Sequence, residues 1–408
     1  MRLIRVLGAV VIALAGFGCR PAGPAPTAET APEVIPPRTP PLGPETLSIG
    51  DGVQLRLGAE ETLLPDGALG LHYMPDIGVG VIDNEPGKLR LVFAAGWDSY
   101  RVEGTDIKHL SKANKILWPT GKETDFDNGD TGISQVLRAG GRLFAIYHAE
   151  DHHGMPKMQN GDPGFYAGVG LVESEDNGQK WVRRGQIIKS AKPKEYKFFP
   201  DHIVRGAGLP GAVNDPTGRY AFVYYTDLSL QENRGAQVCM ARADLNDGPP
   251  LPGRWKKYYK GEFSEPGIGG NETPVLSVLA MDEASALYPH ATYSDYLKKY
   301  VMVFNVNNWK EAQGGKPPVI SGIYWATSAD GIHWSEPVKL LNDYAYQMLG
   351  KSMSTEPTVI FDGREGRTGW VVYEHSPKWI GGWVDQSVVG GVPHFMVGRR
   401  VELRRVDP

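Results

Sequence analysis

The feature that most narrows the fold is a turn that occurs twice. Ser328-Ala-Asp-Gly-Ile-His-Trp334 has a near copy in Ser174-Glu-Asp-Asn-Gly-Gln-Lys-Trp181. In each, the Asp bonds its own backbone two residues on, the Gly accepts positive φ, and the Trp re-enters the next strand to pack beneath the turn. Each copy follows an apolar run, Tyr166-Ala-Gly-Val-Gly-Leu-Val172 or Ile320-Ser-Gly-Ile-Tyr-Trp-Ala326. A strand, a tight turn and a returning strand, repeated in a chain of 408 residues, predict a recurring sheet unit of the β-propeller kind.

Composition points the same way. The 51 Gly and 32 Pro favour short strands and turns over helices. Residues 283–297 have some helical character, but Pro289 interrupts them. The net charge is −4, with 43 basic against 47 acidic side chains and no long basic run, so nucleic-acid binding has no support.

The N-terminus reads as an address. Two arginines in Met1-Arg-Leu-Ile-Arg5 precede an apolar stretch from Val6 to Phe17 that is short for a membrane span, and Cys19 follows Gly18. The pattern resembles a bacterial lipoprotein signal over residues 1–19, with Cys19 as the lipidated residue and the membrane as a partner through that lipid. Gly16-Phe17-Gly18 departs from the usual motif, which has Leu first and a small residue second, so a cleaved secretory signal is the alternative. Residues 20–45 are rich in Pro and Ala and read as an extended tether, leaving 46–408 for the propeller domain. Cys239 is the only other Cys and lies in a strand-like run, so it reads as a buried hydrophobe. The expected protein is exported, membrane-anchored or secreted, and monomeric.

Innermost strands are expected near Asp76, Asp130, Asp201, His290 and Glu356. Strongly apolar partners follow at 89–94, 142–147, 220–225, 300–304 and 369–373. Five pairs at a mean spacing of about 70 residues suit four-stranded blades. The expectation is therefore an all-β, five-bladed β-propeller closed by a strand at 393–403. Residues 47–64 either complete the last blade or pack outside it, and six blades would result if 46–75 formed a sheet of their own.

Propeller geometry gathers the starts of the inner strands at one mouth of the channel. Those starts and the loops around them are acidic: Asp76, Asp127, Asp130, Asp201, Glu272 and Glu356. Carboxyls converging there would shift one another's pKa apart, leaving one as an acid and another as a base, the division of labour that glycoside hydrolysis needs.

In this layout the chain resembles the five-bladed propeller glycoside hydrolases, the family-43 arabinanase and xylosidase group and its furanosidase relatives. The resemblance implies Asp76 in MPDIG as base, Asp201 in FFPDH as the acid that tunes pKa, and Glu272 in GGNETPV as proton donor. Two departures keep alternatives open. Asp76 lacks the Asp-Pro that marks the family's base, so Asp127 or Asp130 is a substitute, and Glu356-Pro357 is a second Glu-Pro. The implied substrate is a polysaccharide or oligosaccharide, of arabinan or furanosidic type before others. No cofactor is required, although a Ca2+ in the channel, bridged by water to His290 or His375, is also implied.

Trp97, Trp118, Trp255, Trp309, Trp379 and Trp383 fall in expected loops. Trp97, Trp379 and Trp383, with His290, are the candidates for binding sugar. The run Tyr147-His-Ala-Glu-Asp-His-His153 would suit a cation or sugar hydroxyls, with a plain polar loop as the commoner explanation. Asp215 in VNDPTG reads as a hairpin turn. Two further functions remain open: a surface lipoprotein that binds glycans without cutting them, and a sialidase-like hydrolase. The latter would need three converging Arg, for which Arg138, Arg205, Arg234 and Arg254 are available.

Overall fold

The computed structural model describes residue 38 and residues 40–157, 164–195, 204–230, 235–313, 317–345, 351–377 and 393–406. Cys19, Asp201, Arg234, Trp379 and Trp383 lie outside the described residues. The chain divides into Met1–Val34 and Ile35–Pro408, and all that follows concerns the second unit.

Apolar runs become strands buried on both faces, and the polar, Gly-rich breaks between them become turns. Strands β1 (Glu45–Ser48) and β2 (Val53–Leu64) come first. A first blade follows, made of β3 (Asp76–Glu85), β4 (Lys88–Ala95), β5 (Asp98–Gly104) and β6 (Leu110–Leu117). The second is β7 (Asp130–Ala139), β8 (Arg142–Asp151), β9 (Phe165–Ser174) and β10 (Val182–Ile188). The third is β11 (Val204–Asn214), β12 (Tyr220–Asp227), β13 (Gln237–Asp244) and β14 (Lys256–Tyr259), widened by β15 (Glu262–Pro266). The fourth is β16 (Ser285–Ser294), β17 (Lys299–Asn307), β18 (Gly322–Ser328) and β19 (Val338–Asn342). The fifth starts with β20 (Met353–Phe361), β21 (Thr368–Ser376) and β22 (Phe395–Arg405), and β2 supplies its fourth strand by pairing antiparallel with β22.

The protein is thus an all-β, five-bladed propeller. Residues 46–75 make no sixth blade, because Leu57 pairs with Val401 and Leu55 with Leu403, so the start of the domain closes its end. Within residues 283–297, read as weakly helical, Ser285–Ser294 form β16, where burial of both faces overrides local propensity. Packing also reaches into the stretch expected to be tether. The Arg38 guanidinium pairs with Glu60 at 3.2 Å and Asp343 at 2.9 Å, and Arg399 holds the Gly43 carbonyl at 2.7 Å.

The core consists of five seams between blades. Ile82 and Val92 of the first blade meet Ile133 and Val172 of the second, and Ile146 and Leu171 of the second meet Val223 and Cys239 of the third. Tyr224 and Met240 meet Met302 and Phe304, Val303 and Trp325 meet Val371 and Val397, and Val372 and Met396 meet Leu91 and Phe93. Cys239 is fully buried in its seam.

The repeated turn supports two of these seams. Asp176 Oδ1 accepts from the Gln179 and Lys180 amides, and Asp330 Oδ1 accepts from those of Ile332 and His333, at 2.8–3.0 Å. Ser174 Oγ and Ser328 Oγ accept from Gly178 N and Gly331 N. Each turn leans on the preceding blade: Gly178 lies against Ile82, and the Gly331 carbonyl accepts from Tyr224 Oη at 2.8 Å. Asp215 likewise serves a turn, accepting from the Thr217, Arg219 and Tyr220 amides.

Gly331 has φ +76°, and a Cβ there would come within 2.8 Å of Tyr224 Oη. Gly331→Ala is therefore expected to cost roughly 1–3 kcal/mol by backbone strain and overpacking at the seam, read as a lowered urea midpoint. An unchanged midpoint would show that this turn does not brace the third and fourth blades.

Candidate functional site

The inner strands β3, β7, β11, β16 and β20 share a local irregularity. Each breaks register with its neighbour at one level, after Asp76, Ile133, Gly208, Leu287 and Thr355 respectively. In four of them the bulge is a residue of positive φ followed by Gly or Pro: Ile77-Gly78, Leu209-Pro210, Tyr288-Pro289 and Glu356-Pro357, with φ of 77°, 50°, 52° and 59° at the first position. A bulge leaves one backbone position unpaired, which suits Pro because it has no N–H to satisfy. Positive φ at a non-Gly residue costs of order 1–3 kcal/mol and persists only where its surroundings enforce it.

Just past the bulges all five blades contribute to a plug across the channel. Thr358 Oγ1 accepts from Val79 N at 3.0 Å, Gln135 Oε1 accepts from Ala212 N at 2.5 Å, and Gln135 Nε2 lies 2.5 Å from His290 Nε2. His290, proposed from sequence to touch sugar, is 4% exposed in this plug, and burial lowers its pKa to about 4. It is therefore neutral near pH 7.

On the strand-start side of the plug sits a cluster of buried carboxyls. Asp76 opens β3 and Glu356 occupies the bulge of β20, and the two carboxyls interact across the junction of the first and fifth blades. Burial pushes both pKa values well up. The Glu374 and Glu150 charges add to this at Asp76, and those of Asp76 and Glu374 do so at Glu356, while the Ile77 amide opposes the rise at Glu356. Asp130 opens β7 opposite Glu150 on β8, and it too is pushed up by burial and by the Glu150 and Asp76 charges. Glu374, on β21 opposite Thr355, pairs with His394 Nδ1, whose ring centroid is 4.3 Å from that of Tyr73.

Glu150 titrates in the opposite direction. Burial would raise its pKa, but His148 Nε2 at 3.2 Å and His152 Nε2 at 2.6 Å outweigh that and hold it below the ordinary value. His148 Nδ1 accepts from Leu209 N at 3.2 Å, which leaves the ring proton on Nε2, facing Glu150. The site thus combines one carboxyl whose pKa is held down, Glu150, with three whose pKa values are pushed up, Asp76, Asp130 and Glu356. Asp130 Oδ1, Glu356 Oε2 and Glu374 Oε2 find no hydrogen-bond partner among the described residues. Buried oxygens in that state are where an incoming polar group gains most.

The candidates from sequence therefore separate. Asp76, Asp130 and Glu356 come together. Glu272 sits in another buried group, where it accepts from the fully buried Lys257, whose ammonium also donates to the Lys189 and Gly270 carbonyls at 2.8 Å. Asp227 completes that group, its pKa raised by burial and by Glu272. Asp127 faces the seam between the first two blades, accepting from Arg183 at 2.8 Å and Tyr147 at 3.0 Å. Trp97 is exposed at the rim. His375, implied as a cation neighbour, lies 3.2 Å from the Arg38 guanidinium, which already brings positive charge there. No set of three or more His, Cys, Asp or Glu among the described residues converges as metal ligands.

Glu374 and the roles of His148, His152 and His394 were not legible in advance. The usable signal was polar residues closing an otherwise apolar second strand, in Tyr147-His-Ala-Glu150 and Tyr373-Glu-His375. Both strand ends arrive at the same mouth as the inner-strand starts.

No protein-family model matches the chain, and no curated protein shows significant similarity to it. Among solved structures it is similar to a protein of unknown function from Dyadobacter fermentans DSM 18053, at 14% identity and TM-score 0.49, over 87% of this chain and 100% of that one. It is also similar to a thermostable family-43 glycoside hydrolase, at 12% identity and TM-score 0.43, over 82% and 92% of the two chains. A third is the α-L-arabinofuranosidase from Lactobacillus brevis, at 11% identity and TM-score 0.45, over 80% and 92%.

Carboxyls whose folded pKa lies above the unfolded value near 4 bind more protons folded than unfolded. Their contribution to stability is complete below about pH 4 and is lost as pH rises through the folded values. Glu356→Gln removes one such group, so its thermal midpoint should gain on that of the wild type as pH goes from about 5 to about 8. A constant difference across that range would mean that Glu356 ionises normally in the folded protein.

Proposed function

We propose that the protein is a glycoside hydrolase whose chemistry is done by the buried carboxyls at the channel mouth. The observation that carries this is the convergence of Asp76 and Glu356 from the first and fifth blades, both pushed well up by burial and by neighbouring carboxyl charge, with Asp130 beside them. Two carboxyls that influence one another this way titrate as one unit. The pair therefore acts together as proton donor to the leaving oxygen. Glu150, held ionised by its two histidines, is the carboxylate that activates water, and Asp130, pushed up by burial and by the Glu150 charge, offers its free Oδ1 to position that water. Arabinan-type, furanosidic polymers are the first substrates to test, on the resemblance in layout.

A second reading, a glycan-binding protein without turnover, is favoured by the depth of the same groups: Asp76, Asp130 and Glu356 are 6%, 5% and 2% exposed. The N-terminal pattern supports export and a lipid anchor at Cys19. Labelling with a radioactive fatty acid in a bacterial host should mark the wild type and not Cys19→Ser, and equal labelling would discard the anchor.

Released reducing ends from arabinan, xylan and other neutral polysaccharides test the main reading. Asp76→Asn, Glu356→Gln and Glu150→Gln should each lose at least about a thousandfold in rate, with circular dichroism unchanged. Near-normal turnover in any one removes that residue from the mechanism. Binding without release by the wild type across the panel selects the second reading.

A further inference from the structure

Three tryptophans are exposed among the described residues, Trp97 at 49%, Trp118 at 55% and Trp309 at 39%, while every other described Trp is buried or half-buried. Each follows a strand that ends at the mouth where the carboxyls lie: Trp97 after β4, Trp118 after β6 and Trp309 after β17. Exposed indoles are costly to leave in water, and gathering them at one end of the molecule points to a ligand there.

Trp97 and Trp118 belong to one corner of the first blade. Ser99 on β5 pairs with Leu117 on β6, so the two indoles leave neighbouring strands at the same end. Both backbones are tied to the second blade. The Trp97 carbonyl accepts from the Thr131 amide at 3.3 Å and from Thr131 Oγ1 at 3.4 Å, and Thr131 adjoins Asp130. The Trp118 carbonyl accepts from the Arg183 guanidinium, itself held by Asp127. The rings are thus presented from fixed backbone, which lowers the ordering cost of stacking a ligand on them.

The surrounding charge selects the ligand. Glu123, Asp125 and Asp127 on the connection that follows Trp118 outnumber Lys122 beside them and Arg183, and the carboxyl cluster lies beyond Thr131. A polyanion would be repelled there, whereas a neutral sugar ring can lay its C–H face on an indole and offer hydroxyls to the acids.

We propose that Trp97 and Trp118 form a stacking platform for a neutral polysaccharide chain, which crosses the rim of the first blade and enters the carboxyl cluster beside Asp130. The direction of the chain rests on the glycoside-hydrolase reading; the binding does not. A platform outside the acid cluster requires a ligand of several sugar units, so affinity should climb with chain length.

The test is equilibrium binding of the full-length protein in native affinity gels containing arabinan, xylan, a neutral β-glucan or the anionic polygalacturonate. Wild type, Trp97→Ala, Trp118→Ala, the double variant and the conservative Trp97→Tyr are compared, with thermal unfolding run on each as a control for fold. At least one neutral polymer should bind. Each single alanine variant should weaken it about 2- to 12-fold, Trp97→Tyr should restore part of the loss, and the double variant should no longer distinguish long oligosaccharides from short ones. The platform is overturned if no neutral polymer binds, if folded alanine variants bind as the wild type does, or if polygalacturonate binds best. Tryptophan-dependent binding without release of reducing ends would sustain the platform while defeating the hydrolase reading.

Discussion

The antiparallel pairing of β2 with β22 is the contact on which the rest depends. It joins the two ends of the propeller domain, and only a closed ring holds five inner strands at fixed angles around one axis. Asp76, near the start, and Glu356, near the end, meet because the ring closes between them. The Val79 amide that donates to Thr358 crosses the same junction. Arg38 and Arg399 reinforce it by tying the residues ahead of β1 to the fourth and fifth blades.

Closure alone would leave the channel open. The bulges displace the inner strands, so that side chains of the second, fourth and fifth blades and backbone amides of the first and third meet as a plug, with the carboxyls on one side of it. The strain of Ile77, Leu209, Tyr288 and Glu356 is the cost of that arrangement. Strain of this kind recurs in proteins where a side chain must be held in a direction that regular sheet would not give. Glu356 is the plainest instance, because the strained residue is itself one of the paired acids.

The electrostatics follow from this enclosure. Carboxyls removed from water resist ionisation, and each neighbour that does ionise makes the next proton harder to remove. Glu150 escapes because two imidazoles face it, one fixed in its tautomer by the Leu209 amide. A cluster with one carboxyl pKa held down and three pushed up results from burial and from the two histidines that face Glu150. The Lys257–Glu272 group shows the other solution to the same problem, in which a buried acid is neutralised by a cation whose remaining protons go to carbonyl oxygens.

Local sequence determined the strands, their pairing into hairpins, the two repeated turns and the number of blades, because each depends on side chains a few residues apart. Apolar runs at 89–94 and 300–304 had to be buried, and Asp-Gly turns had to reverse the chain. It also marked Asp76, Asp130 and Glu356 as acids at strand starts. Which acids share a pocket was decided by tertiary structure alone. Glu374 and Glu150 close second strands, where the sequence marks a polar end and, around Glu150, a His-rich run but not a partner, and Glu272 has the motif of a proton donor yet faces a lysine. The reason is physical: local structure is set by neighbours along the chain, whereas the protonation of a buried carboxyl is set by whatever the closed ring places against it.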